Sequence, residues 1–473
     1  MNLKRLFSTL VAICALIVFF TWTYYPGIPT KAADDGVPNG YKCPGCSVIL
    51  ISIDTLRPDH LGSYGYGRDT SPFLDDLAER SMVFRKFYSP IPKTNPSHAS
   101  MFTSKPPYLH GVRFNGQSLD EGETTLAEIL GQQGYVTGGF ASAAHLNMQS
   151  GFGQGFDTYD SGSIIKSGTY YTRYAGQTSS LASQWLESNR GERFFLFIHY
   201  FDPHAPYDPP KEHDIFQGAS DSLLHRLAGA LTYASPSANK SLDFLRTGLE
   251  TARYDGEIHY VDAEIGGLLE QYGSLDDTVV IITSDHGEAL GEHGYYFAHG
   301  DVLYEEQVRI PLIIYSRGVR YDSGKLSLNT QLMPTILDIL DITDNYSMHP
   351  SLFAGESLTE LVFESDRCTH PNASDNHCYP EMSNKGKLTA VRRGDWKYIH
   401  TPARDGEREE LYDLVNDPGE ELDESGQKEH AGRLDGLRSI LAPLMPLIHD
   451  AEDEDVDVDE QTIEALRALG YVV

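Results

Sequence analysis

Apolar positions along this 473-residue chain gather into short continuous runs separated by longer amphipathic stretches. "SVILISID" at 47–54 is apolar for nearly its whole length and ends on an aspartate, the pattern of a strand buried on both faces of a parallel sheet. Similar runs return in "YVTGGFA", "RFFLFIHYF", "DTVVIITSD" and "IPLIIYS". Between them the period lengthens to that of helices, at roughly 172–190 and 252–272. Two helix starts are signed: Ser71-Pro72 ahead of "FLDDLAER" puts a cap before a proline at the first helical position, and Thr125 with Glu128 makes a capping box. The alternation predicts an α/β fold, a mostly parallel sheet sandwiched by helices.

After "TQLMPTILDILDI" the pattern changes. Residues 346–385 are rich in Ser, Asn, Asp and Pro and read as a connecting excursion. Beyond them "LTAVRRGDWKYIHT" alternates as a strand pair around Arg393-Gly394-Asp395, with helices expected near 426–444 and 460–469. The expected organisation is therefore an apolar N-terminal segment at 1–25, a linker at 26–46, a large domain at 47–345, the excursion, and a small α+β subdomain at 386–473.

The N-terminal run "LFSTLVAICALIVFFTWTYY" carries no charge and is long enough to cross a hydrocarbon core. Lys4 and Arg5 would stay inside, sending the rest of the chain outside the cytoplasm, to the periplasm, cell surface or a lumen, with Trp22, Tyr24 and Tyr25 at the far interface. A retained anchor is the favoured reading, and a signal cleaved near "TKA" the alternative. In that compartment Cys43 with Cys46 and Cys368 with Cys378 read as two local disulfides.

Composition excludes some classes. With 40% apolar and 22% charged residues the chain can bury a large core, and its net charge of −31 opposes nucleic acid as a partner. The acidic run "DAEDEDVDVDE" lacks the spacing and glycine of an EF-hand and reads as a solvated segment.

In open α/β sheets, ligands collect at the carboxyl ends of strands. Asp54 ends the first strand and Asp285-His286 follow a later one, so folding brings two carboxylates and an imidazole to one edge. That set suits a divalent cation such as Mg²⁺, Mn²⁺, Ca²⁺ or Zn²⁺. In "PKTNPSHASMFTSKPP", Pro96 fits the first helical position with Asn95 as cap, which leaves the backbone N–H groups of Ser97 and His98 at the positive end of a helix, an anion site beside the Thr94 hydroxyl. Threonine is a poor nucleophile until a bound cation lowers its pKa.

Taken together, "ISIDTLRPDHLGSYGY", "TNPSHASMFTS", "HGVRFNG", "FIHYFDPHAPYDPP", "YDGEIHYVDAEIG", "TSDHGEALGEHG", "HGDVLYEEQVRIPLII" and "ALRALGYVV" resemble the sulfatase branch of the alkaline phosphatase superfamily, from about residue 47 to the end of the chain. The resemblance implies that Asp54, Asp285 and His286 bind a metal, with Thr94 as a further ligand at the nucleophile position. It implies that His204 and His299 touch the ester oxygens or protonate the leaving group, and that Asn115 contacts the anion as in phosphonate monoester hydrolases. Ser97 and His98 would help bind substrate. His204, His299 and Asp202 could alternatively hold a second metal. Two departures stand out: the C/S-x-P-x-R signature reads Thr94-Asn95-Pro96-Ser97-His98, and the family's second aspartate is Thr55. Both point to members that use a hydroxyl nucleophile on phosphoryl substrates. The expected activity is hydrolysis of phosphate diesters, phosphonate monoesters or sulfate esters, small or glycan-borne, through a covalent Thr94 intermediate. The alternatives are a phosphoethanolamine- or phosphoglycerol-type transferase using the same threonine, and a non-catalytic anion or glycan binder.

Overall fold

The run 47–54 does form a strand, Ser47–Ile53, buried at every position because it lies inside a sheet covered on both faces. The structure is a computed structural model, and it describes residues 40–143, 146–162, 165–167, 170–217, 239–354, 357–365, 387–403 and 406–450. These belong to the larger of two units, Gly36–Val473. In chain order the strands are β1 (Ser47–Ile53), β2 (Met82–Tyr88), β3 (Val136–Ala141), β4 (Thr158–Asp160), β5 (Ile165–Ser167), β6 (Tyr170–Thr172), β7 (Phe194–Tyr200), β8 (Thr278–Thr283), β9 (Ala289–Leu290) and β10 (Tyr296–Ala298). They continue as β11 (Arg309–Ile310), β12 (Leu312–Tyr315), β13 (Tyr321–Leu328), β14 (Glu360–Ser365), β15 (Leu388–Arg393), β16 (Trp396–Ala403) and β17 (Gly406–Asp413).

The main sheet runs β11-β2-β12-β8-β1-β7-β3-β4, with β13 on β2. β4, β3, β7, β1 and β8 are parallel, and β12 is antiparallel to both its neighbours, β8 and β2. The register sets Ser52 level with His199 of β7 and Thr283 of β8, so the segments that leave these three strands start side by side. Alternate side chains of β1 feed two cores. Val48 and Leu50 pack with the helices Thr94–Thr103, Leu126–Gln132 and Leu332–Ile339, while Ile49, Ile51 and Ile53 pack with Pro72–Glu79, Ala175–Ser188 and Asn239–Tyr272. This is the α/β sandwich expected.

The sequence pattern passed over β2 and β13. "MVFRKFY" interrupts its apolar positions with Arg85 and Lys86, which lie near the sheet margin and pair with Asp322 at 2.7 Å and Asp395 at 2.9 Å. The second core element is an antiparallel sheet, β14-β15-β16-β17, with the helix Ala431–Leu441 against it. A further helix, Met445–Asp450, packs with that sheet and is tied to the larger body by Arg113, whose guanidinium donates to the carbonyls of Ile448 at 2.5 Å and Leu447 at 2.7 Å.

Helix starts hold some surprises. The Thr125 capping box forms as expected, Glu128 N–H donating to Thr125 Oγ1 and Thr125 N–H to Glu128 Oε2. Ser71, however, makes no side-chain cap; the carboxylate of Asp262, from the long helix, takes the N–H groups of Phe73 and Leu74 instead. The helix at the Thr94 motif begins at Thr94 itself, with Lys93 as its N-cap, two residues before the start expected at Pro96. Proline is tolerated in this first turn because its missing N–H is among the four that have no intrahelical acceptor.

The apolar run at 6–25, Cys368, Cys378, the acidic run and the helix expected at 460–469 lie outside the described residues. Among the described residues, no helix is long and apolar enough to cross a membrane. The sulfur atoms of Cys43 and Cys46 are in contact, with Cα atoms 5.5 Å apart.

Candidate active site

Where β1 and β8 end, the chain turns sharply and points polar side chains into the gap. Asp54 follows β1, and Thr55 after it adopts a left-handed backbone (φ 56°), a strained conformation for a β-branched residue. The turn is pinned by Thr55 N–H donating to Asp285 Oδ1 at 3.2 Å and Tyr254 O–H donating to the Thr55 carbonyl at 2.7 Å. Asp285 and His286 follow β8, and the ligand atoms of Asp54, Asp285 and His286 all lie within 4.8 Å of one another. Thr94 heads its helix directly opposite, with Oγ1 3.4 Å from His286 Nε2.

All four side chains are essentially buried. Both carboxylate oxygens of Asp54, and Oδ2 of Asp285, have no hydrogen-bond partner. Burial, then the neighbouring charge of Asp285, holds the Asp54 carboxyl well above its ordinary pKa, and burial raises that of Asp285. Buried carboxylate oxygens left this way either bind a proton or bind a cation. Two carboxylates and an imidazole, with three oxygens unsatisfied, fit a divalent metal.

Two more histidines close the site. His299 lies against His286, the rings tilted by 33° with centroids 4.2 Å apart, and its Nε2 meets His204 Nε2 at 3.0 Å. The outer ring nitrogens both face carbonyls: His204 Nδ1–H donates to Ala205 O at 2.6 Å and His299 Nδ1–H to Pro92 O at 3.3 Å. The contact between the two Nε2 atoms is satisfied only if one further proton lies between the rings, which makes the pair singly charged. Burial works against that charge, pushing His204 down to about 4 and His299 well below its ordinary value, with the charge of His286 adding to burial in both. A nearby anion shifts the balance toward the shared proton.

The remaining expected residues are placed differently. Asn115 is exposed, and its Oδ1 accepts the Asn95 N–H at 2.9 Å, so it caps the first turn of the Thr94 helix. The Ser97 N–H, expected to face an anion, donates to the Lys93 carbonyl at 3.0 Å because the helix starts earlier. Ser97 Oγ donates to the Asp285 carbonyl at 2.7 Å, and the His98 ring is wholly buried against Ser52 and Thr94. Neither side chain faces outward. Asp202 Oδ2 accepts the Ala175 N–H at 2.9 Å, and among the described residues His204, His299 and Asp202 do not form a close-set ligand group.

Two residues escaped the sequence reading. His199, in the otherwise apolar "RFFLFIHYF", lies 3.5 Å from Asp54 Oδ2; a lone imidazole near the carboxyl end of a buried strand was the available signal. Lys93, half-buried, sits close enough for its charge to lower the pKa of both His286 and His299. It passes across Gly300, where a Cβ would come within 3.0 Å of Lys93 Cε. Nothing in its local sequence distinguishes it from a surface lysine.

The fold and this edge set a buried cluster that could hold a cation opposite a helix-borne hydroxyl. The family model Sulfatase matches residues 47–342, so the chain belongs to the sulfatase family, ester hydrolases of the alkaline phosphatase superfamily. A second model, N-sulphoglucosamine sulphohydrolase, C-terminal, matches residues 291–444. The chain is 25% identical to an arylsulfatase of Clostridium perfringens (strain 13 / Type A) over 84% of its own length and 93% of that protein's. In structure it is similar to BT4656 in complex with its substrate D-glucosamine-2-N,6-O-disulfate, with a TM-score of 0.67, 21% identity and coverage of 86% of this chain and 100% of that one. It is also similar to phosphonate monoester hydrolase of Agrobacterium radiobacter, with a TM-score of 0.65, 20% identity and coverage of 84% and 95%. Likenesses at these identities establish the fold.

Proposed function

We propose that the chain hydrolyses phosphate diesters, phosphonate monoesters or sulfate esters, small or glycan-borne, through a covalent intermediate on Thr94. The observation that carries this reading is the Thr94 hydroxyl at 3.4 Å from His286, facing carboxylates whose buried oxygens lack partners. Asp54, Asp285 and His286 would hold a divalent cation, with Thr94 beside them. When bound, that cation supplies the positive charge that makes a threonine hydroxyl acidic and offsets charge on the ester oxygens.

Thr94 Oγ1, its proton already given up to solvent, attacks phosphorus or sulfur, forming a new ester bond as the bond to the leaving oxygen breaks, and is released as the same oxyanion when water cleaves that ester. The helix start and the Lys93 ammonium favour the anion. The His204–His299 pair gives its shared proton to the departing oxygen and takes one back from the water that releases Thr94. Asn115 holds the first helical turn through Asn95. The two relatives of known structure support both ester classes, one with a sulfated glucosamine and one named for phosphonate monoesters. The uncharged N-terminal run supports a place outside the cytoplasm, anchored there.

A panel of 4-nitrophenyl sulfate, bis(4-nitrophenyl) phosphate and 4-nitrophenyl phenylphosphonate, run after chelation and with Mg²⁺, Mn²⁺, Ca²⁺ or Zn²⁺ restored, tests the reading. Turnover that depends on metal, with an added phosphoryl or sulfuryl mass on the peptide holding Thr94 after acid quench, supports it. Unchanged turnover in Thr94→Ala overturns it.

A further inference from the structure

His98 lies one helical turn after Thr94, and its ring joins that residue to the strand that carries Asp54. Nδ1–H donates to the Thr94 carbonyl at 2.7 Å, which leaves Nε2 to accept from Ser52 Oγ–H at 3.0 Å. Ser52 is on β1, two residues before Asp54. The ring is wholly buried and held edge-on by His199, with centroids 5.1 Å apart, and by Phe197 at 5.7 Å. A side chain that bonds the carbonyl of residue i−4 competes with the helical N–H for the same oxygen and so acts on the geometry of that turn. The turn affected here is the one that aims Thr94 Oγ1. Ser97 makes a parallel tie, donating to the carbonyl of Asp285 and accepting from Asn329 Nδ2 at 2.9 Å. The first turn is thereby anchored to both strand ends of the cluster.

We propose that His98 is a positioning residue: through Nδ1 it holds the Thr94 peptide against the Asp54 strand, so that Oγ1 stays beside the carboxylate cluster, and it contacts neither substrate nor cation. The proposal rests on reading Thr94 as the nucleophile. A competing role has its own geometric basis, since the ligand atoms of His98, His199 and Asp285 also lie within 4.8 Å of one another. The hydrogen bonds argue against it, because both ring nitrogens of His98 are already engaged.

The full-length chain with His98→Asn, His98→Gln or His98→Ala separates these roles. An Asn amide nitrogen falls near the place of Nδ1 and can still donate to Thr94; a Gln amide nitrogen falls near that of Nε2 and reaches Ser52 instead. On whichever of the three aryl ester probes the wild type turns over fastest, His98→Ala is expected to lose about 100-fold in kcat with KM within about twofold, the scale for misplacing a reacting group by an ångström. His98→Asn should recover at least about tenfold of that loss, and His98→Gln should stay with His98→Ala. Metal bound per chain should match the wild type in all three. Asn is the poorer helix former of the two, so a loss that merely followed stability would rank them the other way.

Equal activities for Asn and Gln overturn the proposal. A raised KM with kcat kept would make His98 a substrate contact, and a loss of one metal per chain in His98→Ala and His98→Asn would make it a ligand; either result also overturns it. If the wild type turns over none of the probes, the reading of Thr94 fails separately. The position of the turn is then measured by the rise in Tm with orthovanadate, kept in His98→Asn and lost in His98→Gln; the same response in both variants sinks the claim.

Discussion

Two buried charge clusters in this molecule are built on opposite rules. At the contact between the large sheet and the antiparallel sheet, Lys397 is wholly buried, yet its ammonium lies 2.9 Å from Glu420 and 3.2 Å from Glu305, and Arg392 reaches Glu305 at 3.1 Å. Burial presses against the Glu305 charge, but Lys397 and Arg392 outweigh it and hold the carboxyl down at about 2. At the strand ends of β1 and β8, Asp54 and Asp285 are equally buried, and among the described residues no lysine or arginine forms an ion pair with either. The first cluster is complete in the sense that its counter-charges lie within the chain, although Glu420 Oε1, 2.9 Å from Lys397, makes no hydrogen bond. The second has carboxylate oxygens that only something from outside can satisfy, and that incompleteness, more than burial or acidity, marks the site.

The strongest way to break this contrast is at the incomplete cluster. Thr94→Ala is expected to lower kcat by about 10⁴-fold or more, as loss of a nucleophile does elsewhere, while leaving bound metal unchanged. Asp54→Asn should abolish turnover as well, but with the metal lost. Metal analysis beside the kinetics separates the two, and a Thr94→Ala protein that keeps its activity removes the site as drawn.

Stability gives the next largest effect, and it should have opposite signs in the two clusters. Lys397→Met strands Glu420 without its cation and leaves Glu305 to Arg392, and is expected to cost about 3 to 5 kcal/mol in urea unfolding. Asp54→Asn in chelator removes a carboxylate that has no hydrogen-bond partner, and should raise stability under the same conditions, then lose that advantage when metal is restored to the wild type. Destabilisation by both substitutions in chelator would mean that Asp54 has a partner in the protein after all.

A smaller effect is expected from His299→Gln, about 100-fold in kcat from the loss of proton donation. The loss should shrink for leaving groups of low pKa, which need no proton. A loss that is the same for 4-nitrophenol and for an aliphatic alcohol would place His299 in binding instead.

What could be read in advance divides along the same line. The strands β1, β3, β7, β8 and β12 were visible because double burial makes them short runs without charge and, β3 apart, nearly continuously apolar, and Asp54 and Asp285-His286 were visible because a strand that ends on a carboxylate breaks that pattern. β2 was not, since Arg85 and Lys86 find partners only in the folded chain. The true start of the Thr94 helix was hidden because Pro96 is equally at home at the first or third position of a helix. The inward ties of Ser97 and His98 depend on which strand ends face the helix, and that is a property of topology that local spacing does not encode.

The subtlest prediction concerns His293, whose left-handed backbone (φ 54°) places its ring flat on Tyr304, centroids 3.6 Å apart, beside the complete cluster. Nδ1 meets Glu306 Oε1 at 3.0 Å and Nε2 donates to the Glu420 carbonyl at 3.1 Å. Burial pushes its pKa down, but these acceptors outweigh burial and lift it from 6.5 to about 9. Because the folded value lies above the unfolded one, the stabilisation is fully present below pH 6.5 and is lost as pH rises through 9. Glu420, raised by burial from 4.5 to about 7, weakens the fold in the same direction over the lower window. The difference in Tm between wild type and His293→Gln isolates the upper window: it should be constant below pH 6.5 and close steadily toward pH 9. A difference that stays flat across that range would show that His293 is neutral in the folded protein, and that the first cluster is less completely paired than its distances imply.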